Sequence, residues 1–353
     1  MRFSGKLGYV LVMAAAVVAA SLALSDVDST VEPVADTTIE PAIGATVELT
    51  PTVYAYLPIV ARDPTPTPTP VEAFSFAVTA DMRYFSGPDY HSVQYFRGAG
   101  EALATAGGGA FMLTPGDMDP PQDVLWTIRS TLGTSYPWYP VVGNHDLPNR
   151  GHEPEPGANM AWLKAYDYGA VNAGPTGCPT TTYSFDYGNA HFVALNEYSD
   201  SSGADVRNGD VSDHLYRWLE NDLSQTTQTH IFVLGHEPAY PQPDADNGRV
   251  RHVGDSLDQY PARRDRFWQL LVDRGVVAYI CGHTHNYSAV QIDGIWQLDA
   301  GHARGLGDTG ARSTFILIEI EGETVRYQTY RDDAQGGPYS LAHSGTLRWG
   351  TAP

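Results

Sequence analysis

The chain has 353 residues, 42% of them apolar, so it can form one large domain or two ordinary ones with a substantial core. Its formal net charge of −20 argues against nucleic acid or an anionic membrane as the main partner, because an acidic surface repels both. Two cysteines, Cys178 and Cys281, are too few for a disulfide framework. They could pair in an exported protein or remain as two buried thiols.

The N-terminus has the pattern of an export signal. Arg2 and Lys6 precede an almost uninterrupted apolar run from Leu7 to Leu24, with small residues near its end. This pattern is typical of a secretory signal peptide, although the run approaches the roughly 20 residues that span a bilayer. We therefore expect residues 1–25 to be a signal peptide or an uncleaved anchor. The protein would then be secreted or held at the cell surface, outside the cytoplasmic membrane, and any membrane contact would be through this anchor.

Residues 26–70 have the composition of a spacer. They are acidic and rich in Thr and Pro, and Pro64 to Pro70 alternates the two residue types. Such a composition favours disorder with a short extended polyproline II segment. The apolar stretch Val53 to Val60 could be a docking strand or part of a sorting region. The folded domain is predicted to occupy residues 71–353.

Within that domain, short strand patterns alternate with helical ones. The predicted elements are a strand at Phe74–Thr79, a helix at His91–Ala106, strands at Ala110–Thr114 and Pro140–Val142, a hairpin of Thr182–Asp186 and His191–Asn196, a helix at Asp213–Leu223, a strand at Thr229–Leu234, a helix at Pro261–Arg274, a strand at Val276–Cys281, and antiparallel strands from Gly294 to Thr329. This alternation predicts an α/β domain with at least one mixed sheet. Active sites in such sheets lie at the carboxyl ends of the strands.

Potential metal ligands follow five of these strands directly. In chain order they are Asp81, Asp117, Asn144, His236, and the pair His283 and His285. Carboxylate oxygens and neutral imidazole nitrogens suit manganese, iron and zinc, and a carboxylate can bridge two ions. A glycine before most of these residues would let the backbone turn sharply and approach the metals closely. Any one of these pieces could be an ordinary turn, but all of them together in one chain indicate a metal centre.

The motifs also resemble those of a known family. The segments that carry the resemblance are Asp81, Gly116-Asp117, Gly143-Asn144-His145-Asp146, His236 and Gly282-His283-Thr284-His285. They are similar to the calcineurin-like metallophosphoesterase superfamily, which includes the purple acid phosphatases, and the resemblance covers Phe74 to Tyr287. It implies a four-layer α/β/β/α sandwich of two mixed β-sheets flanked by helices. Two divalent or mixed-valence ions of manganese, iron or zinc would lie at the carboxyl ends of the strands.

The family pattern also implies a role for each motif residue. Asp117 would bridge the two ions. Asp81 and His285 would complete the first metal site, and Asn144, His236 and His283 would complete the second. His145 would lie beside the substrate, with Asp146 orienting its ring.

The chain departs from the family pattern at two positions. Many members have a histidine where this chain has Arg83, and purple acid phosphatases have a tyrosine where it has Pro120. Arginine does not ligate metals at ordinary pH, so the first site lacks one ligand, and Asp119 or water could replace it. Arg83 could hold a substrate phosphate or form an ion pair with a nearby carboxylate.

A later loop offers further candidates for substrate binding. His302 and Arg304 follow another predicted strand and could line the same pocket. The alternative for His302 is an ordinary loop histidine. His91, His152 and His252 are expected to be surface residues.

These features lead to one main hypothesis and one alternative. The main hypothesis is an exported phosphoesterase that hydrolyses small phosphomonoesters or phosphodiesters, with no nucleic-acid partner. A metal-bridging hydroxide would attack phosphorus in line while His145 assists the leaving group. The alternative is a cell-surface binding protein on the same fold, whose first metal site is degenerate.

Overall fold

The computed structural model describes residues 73–83, 92–151, 153–169, 171–334 and 336–350. All of them belong to one compact unit, Thr67–Pro353. The predicted signal peptide and spacer lie outside the described residues, as do His91 and His152. No helix in the described ranges is both long and apolar enough to span a membrane.

The described strands form two sheets. The first contains β1 (Phe74–Val78), β2 (Met112–Thr114), β3 (Trp138–Pro140), β11 (Thr314–Glu321), β12 (Thr324–Arg331) and β13 (Ser340–Arg348). The second contains β4 (Asn172–Ala173), β5 (Tyr183–Tyr187), β6 (Ala190–Ala194), β7 (His230–Leu234), β8 (Ala278–Cys281), β9 (Tyr287–Ile292) and β10 (Ile295–Ala300). Their orders are β13-β12-β11-β1-β2-β3 and β4-β5-β6-β7-β8-β10-β9. Both sheets are mixed, because β1, β2 and β3 run parallel to each other and β11 antiparallel to β1, while β6, β7, β8 and β10 are parallel and flanked by antiparallel strands.

Helices cover the outer face of each sheet. Those described are α1 (Phe96–Thr105), α2 (Pro121–Leu132), α3 (Ala158–Ala165), α4 (Asp213–Gln225) and α5 (Pro261–Asp273). Leu103 of α1 and Ile128 of α2 pack with Ala77 against the first sheet. Leu219 of α4 and Leu271 of α5 pack in the same way against the second sheet.

The alternation of side chains along the strands produces the layers. Phe76 and Val78 point from β1 into the core between the two sheets, where they meet Phe192 and Phe232. Ala77, between them in sequence, points to the opposite face and the helices. One core between the sheets and one beneath each helix layer make four layers, so the predicted α/β/β/α sandwich of mixed sheets is confirmed.

Several predicted elements differ from the observed ones. Helices α2 and α3 were not predicted. The segment from Gly294 onward is not one antiparallel unit, because β10 runs parallel to β8 in the second sheet while β11 and β12 belong to the first. The chain crosses between the sheets after β10, and local sequence patterns do not show such a crossing.

The cysteines are two buried free thiols. Cys178 lies in the loop before β5, with Sγ 3.3 Å from the hydroxyl of Thr182. Cys281 is the last residue of β8 and is fully buried. The structure therefore shows the unpaired alternative rather than the disulfide.

The buried side chain of His191 connects the β5–β6 hairpin to helix α4 through hydrogen bonds. His191 has Nδ1 2.6 Å from Asp186 and Nε2 2.9 Å from Asp222. Burial lowers the pKa of His191, but the hydrogen bonds to both carboxylates outweigh burial and raise it overall. The ring therefore links β5 of the second sheet to helix α4 outside it.

Candidate metal centre

The six predicted ligands come together at the edge where strands of both sheets end. Asp81 follows β1, Asp117 follows β2, and the β1 and β2 loops are joined by a hydrogen bond from the Asp81 amide to the Gly116 carbonyl. Asp81, Asp117, His283 and His285 all have positive φ, between 52° and 66°. Non-glycine residues rarely adopt this conformation, and it costs about 1–3 kcal/mol each. Packing among the loops must therefore hold the ligands in this strained arrangement.

Glycines allow the loops to pack this closely. Gly116 has φ 88°, and a Cβ built there would collide with Nδ1 of His236. A Cβ at Gly282 would collide with Oδ2 of Asp81. The glycines before Asp117 and His283 are thus required by side chains arriving from other loops.

Asp146 holds the β2 and β3 loops together. Its buried carboxylate accepts hydrogen bonds from the amides of Asp117, Met118 and Gly143, at 3.1, 3.0 and 2.8 Å. The expectation that Asp146 orients the ring of His145 is therefore wrong, since its oxygens are engaged by main-chain donors. Instead, Nδ1 of His145 lies 2.8 Å from the carbonyl oxygen of Arg150, which can only accept a hydrogen bond.

Asn144, His236 and His283 form one group of ligand atoms. Oδ1 of Asn144 lies 3.1 Å from both His236 Nε2 and His283 Nδ1, and these nitrogens are 3.2 Å apart. The other nitrogen of each ring faces a main-chain carbonyl: His236 Nδ1 lies 2.8 Å from Pro115 O, and His283 Nε2 lies 3.0 Å from Asp255 O. Each outer nitrogen must therefore carry the ring proton, which fixes the tautomer.

The consequence is a cluster of three acceptors that face one another. With both protons on the outer nitrogens, Asn144, His236 and His283 present only lone pairs to the space between them. Acceptors at this spacing repel one another unless a cation lies between them. An amide oxygen with two neutral imidazoles suits a divalent transition metal. The residues of this group therefore fit a metal ion.

Asp81, Asp117 and His285 form the adjoining group. One ligand atom from each lies within 4.8 Å of the others, and all three residues are buried. Oδ1 of Asp81 is 3.3 Å from His285 Nε2 and accepts no hydrogen bond from any described residue, although it is buried. A buried carboxylate oxygen without a hydrogen-bond donor destabilises the folded state, and a metal ion bound to it would remove this penalty. Asp117 also lies 3.5 Å from His236 Nε2, so its carboxylate is shared by the two groups.

The charge state of the centre suits metal binding. Burial lowers the pKa of His236, His283 and His285, so these rings are neutral near pH 7 and their lone pairs are available. Burial, together with the neighbouring Asp117, raises the pKa of Asp81. A bound cation would favour the ionised carboxylate.

The predicted replacement for the missing ligand does not reach the first group. Asp119 is fully buried, with Oδ2 3.8 Å from Arg83 Nε and Oδ1 accepting a hydrogen bond from Asn159. Within the described ranges, the compact ligand group contains Asp81, Asp117 and His285 but not Asp119. Arg83 therefore forms the ion pair that was one of its two predicted roles.

The two candidates after β10 have different environments. His302 is fully buried, with Nε2 donating to the Ala311 carbonyl at 3.1 Å, so of its two predicted roles the structure shows the ordinary loop histidine. Arg304 is nearly buried, and one terminal nitrogen lies 2.8 Å from His285 Nδ1.

His252 was expected to be a surface residue. Its ring packs against that of His283, with the two ring centroids 4.1 Å apart.

Asp308 was not predicted from the sequence. Its Oδ2 lies 2.7 Å from His285 Nδ1, so it accepts the proton that leaves Nε2 free toward Asp81. Burial raises the pKa of Asp308, but hydrogen bonds from His285 and Arg249 outweigh this effect and hold it well below the ordinary range. The sequence offered one signal for Asp308, its position. Like the other motif loops, the loop that contains Arg304-Gly305-Leu306-Gly307-Asp308 follows a strand.

Comparison with known proteins agrees with this geometry. The sequence profile of the calcineurin-like phosphoesterase family matches residues 76–287. Purple acid phosphatases 22 and 23 of Arabidopsis thaliana are each 27% identical to the chain, over 187 and 173 residues. These matches cover 50% and 48% of this chain but only 38% and 32% of the relatives, so the chain spans well under half of their length. The solved structure of PhoD has the same fold, with a TM-score of 0.51 and 14% identity over 79% of this chain and 70% of PhoD. The chain therefore belongs to the calcineurin-like phosphoesterase family.

Proposed function

We propose that this protein is an exported, metal-dependent hydrolase of small phosphomonoesters or phosphodiesters. The observation that carries the proposal is the cluster of Asn144, His236 and His283, whose facing atoms are all acceptors 3.1–3.2 Å apart. The adjoining group of Asp81, Asp117 and His285 shares Asp117 with it. Two neighbouring cation sites with a common carboxylate favour dinuclear chemistry.

The bound metals and the protein side chains would have different roles in the reaction. Two bound divalent ions would polarise the phosphoryl oxygens and make water a competent nucleophile at neutral pH. Asn144, His236 and His283 would hold one ion, Asp81 and His285 the other, and Asp117 would bridge them. The chain supplies a fixed, buried arrangement, so little reorganisation is needed when substrate binds.

The contacts of His145 support a role for this residue at the ester oxygen that leaves. Its amide donates to Oδ1 of Asp117 at 2.8 Å, which ties the residue to the centre, and its ring is partly exposed. Because Nδ1 donates to the Arg150 carbonyl, Nε2 is the nitrogen available to a substrate, and it donates to the leaving oxygen only when the ring carries a second proton. We assign His145 the role of assisting the leaving group.

Export and partner choice rest on sequence features. The apolar run from Leu7 to Leu24 behind two basic residues supports secretion or anchoring at the cell surface. The net charge of −20 disfavours nucleic acid, while a local excess of positive charge at the metal centre would attract a small phosphate ester.

The test combines metal content with turnover. Metal is measured by elemental mass spectrometry, and hydrolysis of p-nitrophenyl phosphate and bis-p-nitrophenyl phosphate is followed as metal is removed and restored. We expect close to two ions per chain and activity that disappears in chelator. His145→Ala should lower kcat by about 10²- to 10⁴-fold with metal content retained. His214→Ala, a partly exposed histidine on α4, is the matched control.

A second candidate function is supported by the first site. Arg83 pairs with Asp119 and provides no ligand, so the first group has only Asp81, Asp117 and His285 within the described part of the chain. A binding protein with one working metal site is the alternative. One ion or none per chain, with no turnover under manganese, zinc or iron, would favour this alternative and exclude the dinuclear enzyme.

A further inference from the structure

Three arginines surround a single carboxylate beside the metal centre. Arg249 Nη1 lies 2.9 Å from Oδ1 of Asp308, and Arg251 Nη1 and Arg304 Nη2 lie 3.4 and 3.5 Å from its Oδ2. Arg251 Nη1 and Arg304 Nη2 also lie 2.5 and 2.8 Å from Nδ1 of His285, but because this nitrogen donates its proton to Asp308, both guanidinium groups are neighbours of it and not hydrogen-bond donors to it. Three guanidinium groups thus face one carboxylate, in a chain with almost twice as many acidic as basic residues.

The three arginines differ in their access to solvent. Arg304 is 5% exposed, and Arg249 is 20% exposed with its nitrogens bonded to Asn286, Asp308 and the His285 carbonyl. Arg251 is 32% exposed and carries the most open guanidinium of the three. Its Nη2 lies 3.1 Å from His252 Nε2, and the His252 ring covers His283. Arg251 and His252 therefore lie next to each other on the outer side of the ligands His285 and His283.

Arg251 approaches the centre from outside. It reaches Nδ1 of His285, whereas Nε2 on the other side of the ring faces Asp81. One imidazole ring thus separates the guanidinium from the ligand atoms. At that position Arg251 would meet a group attached to the phosphoryl group rather than the phosphoryl oxygens themselves.

The loop that carries Arg251 is fixed in place. Asp244, near its start, forms a two-point ion pair with Arg331 at 3.2 and 2.7 Å, and both side chains are fully buried. Asp244 also accepts a hydrogen bond from the amide of Tyr287, and Asn247 donates to the Gly310 carbonyl. A guanidinium on a rigid loop loses little conformational entropy on binding an anion.

We propose that Arg251 is a specificity residue that binds a second anionic group, a carboxylate or a further phosphate, on the leaving-group part of the ester. The inference rests on the proposed phosphoesterase function and names its preferred substrate class. Esters with a second negative charge are favoured over esters whose only charge is on the phosphoryl group. The fork of a guanidinium suits either oxyanion.

The experiment compares phenyl phosphate with 2-, 3- and 4-carboxyphenyl phosphate, using the metal-loaded full chain. These esters share the phosphoryl group and differ in a carboxylate at three positions. Arg251→Gln should lower kcat/KM about tenfold for the best carboxyphenyl isomer, mainly through KM, the effect of losing one charge-assisted hydrogen bond. The decrease for phenyl phosphate should be about threefold at most. Arg251→Lys should recover part of the preference, because charge remains but the fork is lost.

Two controls separate this role from others. Arg326→Gln removes the same charge from an exposed arginine on β12 that pairs with Glu321, and should leave the ratio of the two ester classes as in the wild type. Metal content is measured for every variant, because Arg251 borders His285. Equal losses for phenyl and carboxyphenyl phosphates, or no loss for either, would overturn the proposal while the phosphoesterase function stands. No turnover of any ester by the wild type would remove both.

Discussion

Asp308 should control the affinity of the first metal site alone. Its carboxylate accepts the Nδ1 proton of His285 at 2.7 Å and is itself fixed by Arg249 and the amide of Gly310. Asp308→Asn keeps the size of the side chain but removes the charge that holds the ring in its ligating tautomer. Loss of such a partner typically lowers metal affinity 10- to 100-fold, which is about 1.4–2.7 kcal/mol. The second site should keep its affinity, because His236 and His283 are held by main-chain carbonyls that the substitution does not touch.

The assay is a competition titration against a chelator, with bound metal counted at each step. The wild type should release two ions, and in Asp308→Asn only the release from the first site should move to lower chelator concentration. Asp246→Asn is the matched control, since Asp246 also pairs with arginines but belongs to the Arg312 and Arg331 network. Equal shifts of both steps, or no shift, would refute the reasoning that His285 depends on this one carboxylate.

Three further predictions concern stability and catalysis. The pKa of His191 is raised in the folded state, so its contribution to stability is fully present below the unfolded pKa of about 6.5 and is lost as pH rises through the folded pKa. In urea unfolding, His191→Gln should lower the free energy of unfolding by about 1–3 kcal/mol at pH 5.5 and by less at pH 8.5. An equal decrease at the two pH values would contradict this. Arg331→Met should lower the free energy of unfolding by about 3–5 kcal/mol by leaving Asp244 buried and unpaired, and adding Asp244→Asn should restore part of it. Asp146→Ala leaves three buried amides without an acceptor, so it should reduce both thermal stability and turnover, whereas a loss of turnover alone would indicate a direct chemical role.

The positions of the candidate ligands could be predicted from the sequence. Asp81 and Asp117 follow apolar strands of the first sheet and His236 follows one of the second, and within each sheet the ends of parallel strands meet at one edge regardless of the loops between them. The glycines directly before Asp117 and His236 are also visible in the sequence. The fold class followed from the strand and helix alternation together with the motif resemblance, and the structure confirms it.

The partners of those ligands could not be predicted in the same way. Whether His145 is held by Asp146 or by the Arg150 carbonyl depends on a loop that turns back after the motif. Adjacency in sequence suggested Asp146, but its oxygens are engaged by amides of the preceding strand's loop, 28 and 29 residues away. A buried carboxylate binds whichever donors the packing brings to it.

The sequence by itself determined which residue types arrive at the sheet edge and in what order, because a strand and the residues after it are encoded locally. Only the tertiary structure decided the tautomers of the histidines, the pairing of Arg83 with Asp119, and the placement of Asp308 and Arg251. The physical reason is distance along the chain: Asn144 and His283 face each other across 139 residues, and Arg251 and His285 across 34. Such contacts arise where loops from two packed sheets converge, and their donors and acceptors are matched only after the sheets have stacked.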